Sequence, residues 1–221
     1  MATAPRKRMT ASERREQLLD VGGSIFAEKG YDASSVEEIA QKAGVTKPVV
    51  YEHFGGKEGL YAVIVDREMR EVLERITRAL EPSGAFARLE AAAEAFLRYI
   101  EERPDGFRVL LRDAPLVTGG ATPWGSLIGT IADRVDALLA DELSNRGFDR
   151  SFAPLYSRAV MGLIANVGQW WLETGSPDRR TVAAHMVNIV WNGLEGLEAS
   201  PMLRFADPDA PDPDAPVAPK G

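Results

Sequence analysis

The chain has 221 residues, 26 Lys+Arg against 33 Asp+Glu, no cysteine and two histidines, His53 and His185. That length is enough to bury a real core. The missing cysteines exclude a disulfide framework and a thiolate metal site, and two histidines leave little for imidazole catalysis or a zinc site. The formal charge of −7 argues, as a bulk figure, against a nucleic-acid partner.

No apolar run approaches the roughly 18–20 residues of a membrane span. The basic N-terminus is not followed by an apolar stretch, so it does not read as a signal peptide, and the expected compartment is the cytoplasm with no membrane partner. Nothing alternates with period two, and glycine and proline punctuate the chain at helical intervals. The expected class is all-α, with about nine helices.

The first helix starts near Thr10, where Thr10 and Glu13 have the spacing of a capping box, and ends at Gly30. Gly22 and Gly23 lie inside it, each costing about 1 kcal/mol relative to alanine unless close packing needs them. The second runs from about Ser35 to Ala43; Ser34–Glu37 and Ser35–Glu38 both fit a capping box, leaving its first residue open. The third runs from about Lys47 to Phe54, with Thr46 as N-cap and Pro48 in the first turn, where proline is tolerated. The fourth spans about Lys57 to Leu80, with Leu60, Val63, Ile64, Leu73, Ile76 and Leu80 inward. Further helices are expected over about 86–102, 105–113, 122–146, 152–174 and from Ser176-Pro177 to near Leu197, with a flexible loop over 114–121. Residues 206–221 hold five prolines and four aspartates and are expected to be disordered.

Residues 35–54, SVEEIAQKAGVTKPVVYEHF, carry the functional signal. Two short helices joined by a glycine turn form a helix-turn-helix. Ala40 is small where the helices cross, Gly44 can take the positive φ of the turn, and Val45, Val50 and Phe54 fill the core beneath. A turn of 100° per residue puts Pro48 and Glu52 opposite Val50, with Lys47, Val49, Tyr51 and His53 on the flanks. That face would enter a major groove.

Residues from about Arg14 to Tyr61, including FAEKGYDASSVEEIAQKAGVTKPVVYEHFGGKEGLY, resemble the DNA-binding domain of the TetR family of bacterial regulators. Gly22-Gly23 and Pro48-Val49 depart from its usual residues. The resemblance implies a homodimer on a palindromic operator and a helical C-terminal domain holding a small-molecule pocket and the dimer interface. The domains are then a basic disordered arm (1–9), the helix-turn-helix domain (10–56), an effector and dimerisation domain (57–205) and the tail (206–221).

The DNA-binding candidates are Ser35, Thr46, Lys47, Pro48, Val49, Tyr51, His53 and Lys57. Lys47 can reach a phosphate or a guanine edge, and Val49 a thymine methyl. Tyr51 and His53 resemble phosphate-binding positions of the family, and Lys57 offers an ammonium at a helix start. Glu52 can accept from cytosine or face water. Arg6-Lys7-Arg8 can track phosphates, enter a minor groove, or remain solvated.

The C-terminal candidates are weaker in signal. The last two helices are apolar on more than one face, which implies a partner, with Leu163, Trp171, Met186, Val190 and Leu194 as the expected dimer contacts. Phe96, Tyr99, Phe107, Leu111, Trp124, Ile128, Val167 and Trp170 are the candidate pocket wall. Arg108 and Arg112 can meet a carboxylate effector or pair with nearby acids. No catalytic group, metal site or cofactor is expected: there is no nucleophile elbow, P-loop, dinucleotide glycine pattern or ligand spacing. The expected function is a ligand-responsive regulator, a repressor released from its operator by an unidentified small molecule. The alternative is a dimeric DNA-binding protein with a filled C-terminal core and no effector.

The charge objection dissolves on splitting. Residues 1–60 hold nine Lys+Arg and nine Asp+Glu, while residues 61–221 hold 17 and 24. All the excess acid lies outside the proposed DNA-binding domain.

Overall fold

The computed structural model describes residues 9–82, 84–112 and 123–201. Among them are nine α-helices and one short 3-10 turn, with no strand. The expected loop over 114–121, most of the basic arm and the 206–221 tail lie outside the described residues.

Three helices form the N-terminal unit: α1 (Ala11–Lys29), α2 (Val36–Ala43) and α3 (Lys47–Phe54). The capping box at α1 is complete, with the Glu13 amide donating to Thr10 Oγ1 (3.2 Å) and the Thr10 amide to Glu13 Oε2 (2.7 Å). Ser35, not Ser34, caps α2 and accepts from the Glu38 amide. Ser34 is buried and turns its hydroxyl back to the Gly30 carbonyl at 2.5 Å, which settles the open choice between them. Gly44 adopts φ 67° and ψ 34°, the left-handed geometry the turn requires. Val50 is fully buried beneath α3.

The long α4 (Lys57–Ala79) leaves this unit and enters the C-terminal body. There it meets α5 (Ala85–Glu102), α6 (Pro104–Leu111), α7 (Pro123–Asn145), α8 (Ala153–Thr174) and α9 (Arg179–Glu195). A 3-10 turn at Arg150–Phe152 precedes α8, and Asp178 caps α9, starting it slightly later than the Ser176-Pro177 pair suggested. One core cluster runs through both units, because α4 contributes Leu60 and Ile64 at its base and Val72 and Ile76 higher up. The same inward face carries Glu68, almost wholly buried, which an apolar pattern cannot announce.

Candidate nucleic-acid interface and effector cavity

On α3, Lys47, Pro48, Tyr51 and Glu52 are exposed and His53 is half-buried, so the predicted reading face is available to a groove. Thr46 and Ser35 are also exposed at the starts of α3 and α2. Thr46 makes no side-chain capping bond, which leaves its hydroxyl free to meet a phosphate. Val49 turns partly inward and packs against the core. Lys47 is ion-paired with Glu37 of α2; the pair raises the ammonium's pKa and lowers the carboxyl's. An incoming phosphate therefore competes with an acid already in place.

Lys57 has a different role from the expected phosphate contact. Its Nζ donates to the carbonyls of Tyr31 (2.9 Å) and Ser34 (3.1 Å) and lies 4.2 Å from the Tyr31 ring centroid. The ammonium bolts the start of α4 to the α1–α2 connection. Phe26 and Tyr31 each pack edge to face on Tyr61 beside it. Arg15 of α1 lies over the Phe54 ring at the end of α3, 5.1 Å from its centroid.

The C-terminal body holds a cavity of about 130 Å³. Its wall is apolar, from Val72 and Ile76 of α4, Phe96 of α5, Ile128 and Ile131 of α7, and Ile164 of α8. Arg88, Glu142 and Arg146 line it as well, where α5 begins and α7 ends. Arg146 is held by Glu142 (2.8 Å) and Glu195 (2.9 Å) and lies 5.8 Å from the Trp191 ring centroid. Among the eight pocket candidates, Phe96 and Ile128 reach this cavity. Tyr99 and Phe107 are instead solid core, fully buried against each other. Leu111 and Val167 are half-buried against that core, and Trp170 faces outward. The side chain of Trp124 lies outside the described residues. Arg108 pairs with Asp105 (3.1 Å), and Arg112 donates to the Glu28 carbonyl of α1 (3.1 Å), so neither points into the cavity.

The dimer candidates also need correcting. Trp171 and Met186 are buried in the protomer's own core, Leu163 packs against it, and Val190 (buried) and Leu194 line the cavity. The exposed apolar groups on the same helices are Leu155 (62% exposed), Trp170 (48%) and Ile189 (59%). Leu155, Ala159, Gly162, Asn166 and Trp170 recur at helical spacing along one stripe of α8, and Asn188, Ile189 and Asn192 are exposed on α9.

The other prominent feature is polar. Glu68 of α4 is 1% exposed. It accepts a fork from Arg103, Nε to Oε2 (2.8 Å) and Nη2 to Oε1 (2.5 Å), together with Tyr99 Oη (3.2 Å) and Arg67 Nε (3.2 Å). Burial opposes its ionisation, but the hydrogen bonds and charge of Arg103, with Arg67 and Tyr99, hold the carboxyl below its ordinary value. Burial and the same carboxylate push Tyr99 well up.

Three helices in a helix-turn-helix arrangement, joined by a long helix to an all-α body with an apolar cavity, define a helical DNA-binding regulator. Residues 18–64 match the model of the bacterial regulatory proteins of the tetR family, and residues 86–193 match that of the tetracyclin repressor-like C-terminal domain. The chain belongs to the TetR family. It is 30% identical over 189 residues to the HTH-type transcriptional activator FasR of Mycolicibacterium smegmatis, covering 85% of each chain. The solved TetR-like transcriptional regulator from Rhodococcus sp. RHA1 superposes with a TM-score of 0.69 at 25% identity, over 86% of this chain and 100% of that one. The regulator PfmR of Thermus thermophilus gives 0.65 at 25% identity, over 86% and 99%. The family is one of DNA-binding transcriptional regulators, not of enzymes. Among the described residues, no helix is long and apolar enough to cross a membrane.

Proposed function

We propose that this chain is a ligand-responsive transcriptional repressor. It would act as a homodimer on a palindromic operator and leave that operator when a small apolar molecule enters the C-terminal cavity. The observation that carries the reading is the cavity itself: about 130 Å³ of apolar-walled space in the body is hard to reconcile with the filled core of an effector-independent protein. Its wall suits an apolar molecule whose polar group lies beside Arg88 and Arg146. In each protomer the face of α3 with exposed Lys47 and Tyr51 and half-buried His53 would enter one major groove, and the exposed Thr46 and Ser35 would meet the flanking phosphates. The exposed apolar groups Leu155 and Trp170 of α8 and Ile189 of α9 would face the second copy. A ligand shifts the equilibrium only if it binds the released form more tightly than the operator-bound form.

Activation is the second reading, because the M. smegmatis relative is named an activator. Both signs use the same release step, and the sign follows from where the operator lies relative to its promoter. The test is a thermal-shift screen of small apolar molecules, followed by operator titration on a duplex selected from random sequence. A hit is expected to raise the melting temperature and weaken operator binding at least tenfold, with Ala165→Phe, which fills part of the cavity, abolishing the shift. A compound that loses its shift in that variant yet leaves wild-type operator binding unchanged would favour the effector-independent alternative.

A further inference from the structure

We propose that Glu68 is the positioning residue through which the cavity controls the DNA-binding unit, an inference that rests on the effector reading above. Glu68 joins four elements at one buried carboxylate. Arg103 sits at the corner between α5 and α6, Tyr99 belongs to α5, and Arg67 shares α4 but reaches α1. The backbone of α6 closes the fourth side: a Cβ on Gly106 would stand 2.2 Å from Glu68 Oε2.

The joint lies between the cavity and α1. Val72, four residues along α4 from Glu68, lines the cavity, as does Phe96, three residues before Tyr99. Phe107, next to Gly106, packs edge to face on Phe96 with centroids 5.6 Å apart. In the other direction, Arg67 Nη1 pairs with Asp20 (3.1 Å) and Glu16 (3.6 Å) of α1. The neighbouring Arg15 lies over Phe54 at the end of the recognition helix. A shift of α5 at the cavity therefore meets the Glu68 joint on its way to α1, while α6, which does not line the cavity, also touches α1 directly where Arg112 donates to the Glu28 carbonyl (3.1 Å).

Buried charge gives the joint two discrete arrangements. A forked Arg103 satisfies the carboxylate, and a partly withdrawn one leaves it buried and unpaired, which is strongly unfavourable. The corner between α5 and α6 is thus docked or released, with little in between. In the docked arrangement α6 and α1 hold the spacing that binds operator, and the effector favours release.

The test uses the full-length dimer and operator titration of Glu68→Gln, Ala165→Phe, the double variant and a Glu74→Gln control on the exposed side of α4. Glutamine keeps the shape of Glu68 but turns an amide donor toward the Arg103 fork. Expected is a tenfold or greater loss of operator affinity in Glu68→Gln at unchanged helical content and dimer state, none in Glu74→Gln, and no further loss when Ala165→Phe is added. Operator affinity at the wild-type level in folded Glu68→Gln, or independent multiplication of the two losses, would overturn the proposal. Should Ala165→Phe alone leave operator affinity unchanged, Glu68→Gln by itself judges the joint, while the effector reading stands or falls on whether a thermal-shift hit weakens operator binding by the wild-type protein. If Glu68→Gln does not fold, Arg103→Lys, which keeps the charge and loses the fork, carries the same expectation.

Discussion

Gly22 and Gly23 stand side by side in α1, yet α4 crowds only one of them. A Cβ at Gly22 would lie 3.0 Å from Leu60 Cδ2 and 3.2 Å from Ile64 Cδ1, and both of those side chains are fully buried. A Cβ at Gly23 would meet nothing nearer than Ile64 Cγ2 at 3.9 Å, an ordinary contact. Alanine gains about 1 kcal/mol over glycine in a helix interior, whereas overpacking a tight core loses typically about 1–3 kcal/mol. Gly23→Ala is therefore expected to stabilise the protein by up to about 1 kcal/mol and Gly22→Ala to destabilise it by about 1 kcal/mol. Denaturant unfolding of the two variants measures the difference, and equal effects would show that α4 does not press on α1 at this point. The glycine pair was visible in the sequence as a helix defect. Which member admits the neighbouring helix depends on the crossing point, and that is a property of packing.

Helix by helix, the secondary structure was legible because caps and breakers are local. Thr10–Glu13, Gly44 and Gly55 act within one turn of where they sit in the chain. The helix-turn-helix was legible for the same reason. The lining of the cavity, and which apolar positions of α8 and α9 stay exposed, were not. Periodicity identifies an inward stripe but cannot distinguish a solid core from a void, so Tyr99 and Phe107 read like Phe96 although only Phe96 reaches the cavity. On α8 and α9 the most apolar positions satisfy the protomer's own core first. What remains for a partner is Leu155, Trp170 and Ile189, set among asparagines and glycines. Glu68 was missed because a buried carboxylate leaves the same letter as a solvated one. Two adjacent tryptophans test the proposed dimer face. Trp170→Glu is expected to leave a folded monomer, losing about 2 kcal/mol per copy and about 4 for the symmetric dimer, roughly a thousandfold in Kd by sedimentation. Trp171→Ala instead empties the core and breaks the Nε1 bond to the Pro177 carbonyl (2.7 Å), so its loss of about 3–5 kcal/mol appears in unfolding. Equal dissociation by both would place the interface elsewhere.

Across the whole molecule, the charge that first argued against DNA is concentrated in the body, while the N-terminal 60 residues are neutral overall. Neutrality alone does not bind a polyanion, and the structure shows several of that unit's cations already engaged. Lys29 pairs with Glu38 at 2.5 Å, Lys47 with Glu37, and Lys57 with two backbone carbonyls. Arg14 donates to Gln17 at 2.7 Å, and Arg15 lies over Phe54. The acidic body repels the duplex and favours approach with α3 leading, but repulsion supplies no affinity. The counterion-releasing charge is then expected to come in large part from Arg6, Lys7 and Arg8, three cations per protomer and six per dimer. Each phosphate neutralised steepens the dependence of log K on log salt by about 0.9, so changing all three to alanine should flatten that slope by about 5. Operator titrations between low and moderate salt read the slope directly. An unchanged slope would assign the arm to solvent and return the phosphate contacts to Lys47 and the helix termini, with Lys47 exchanging Glu37 for the backbone of the operator.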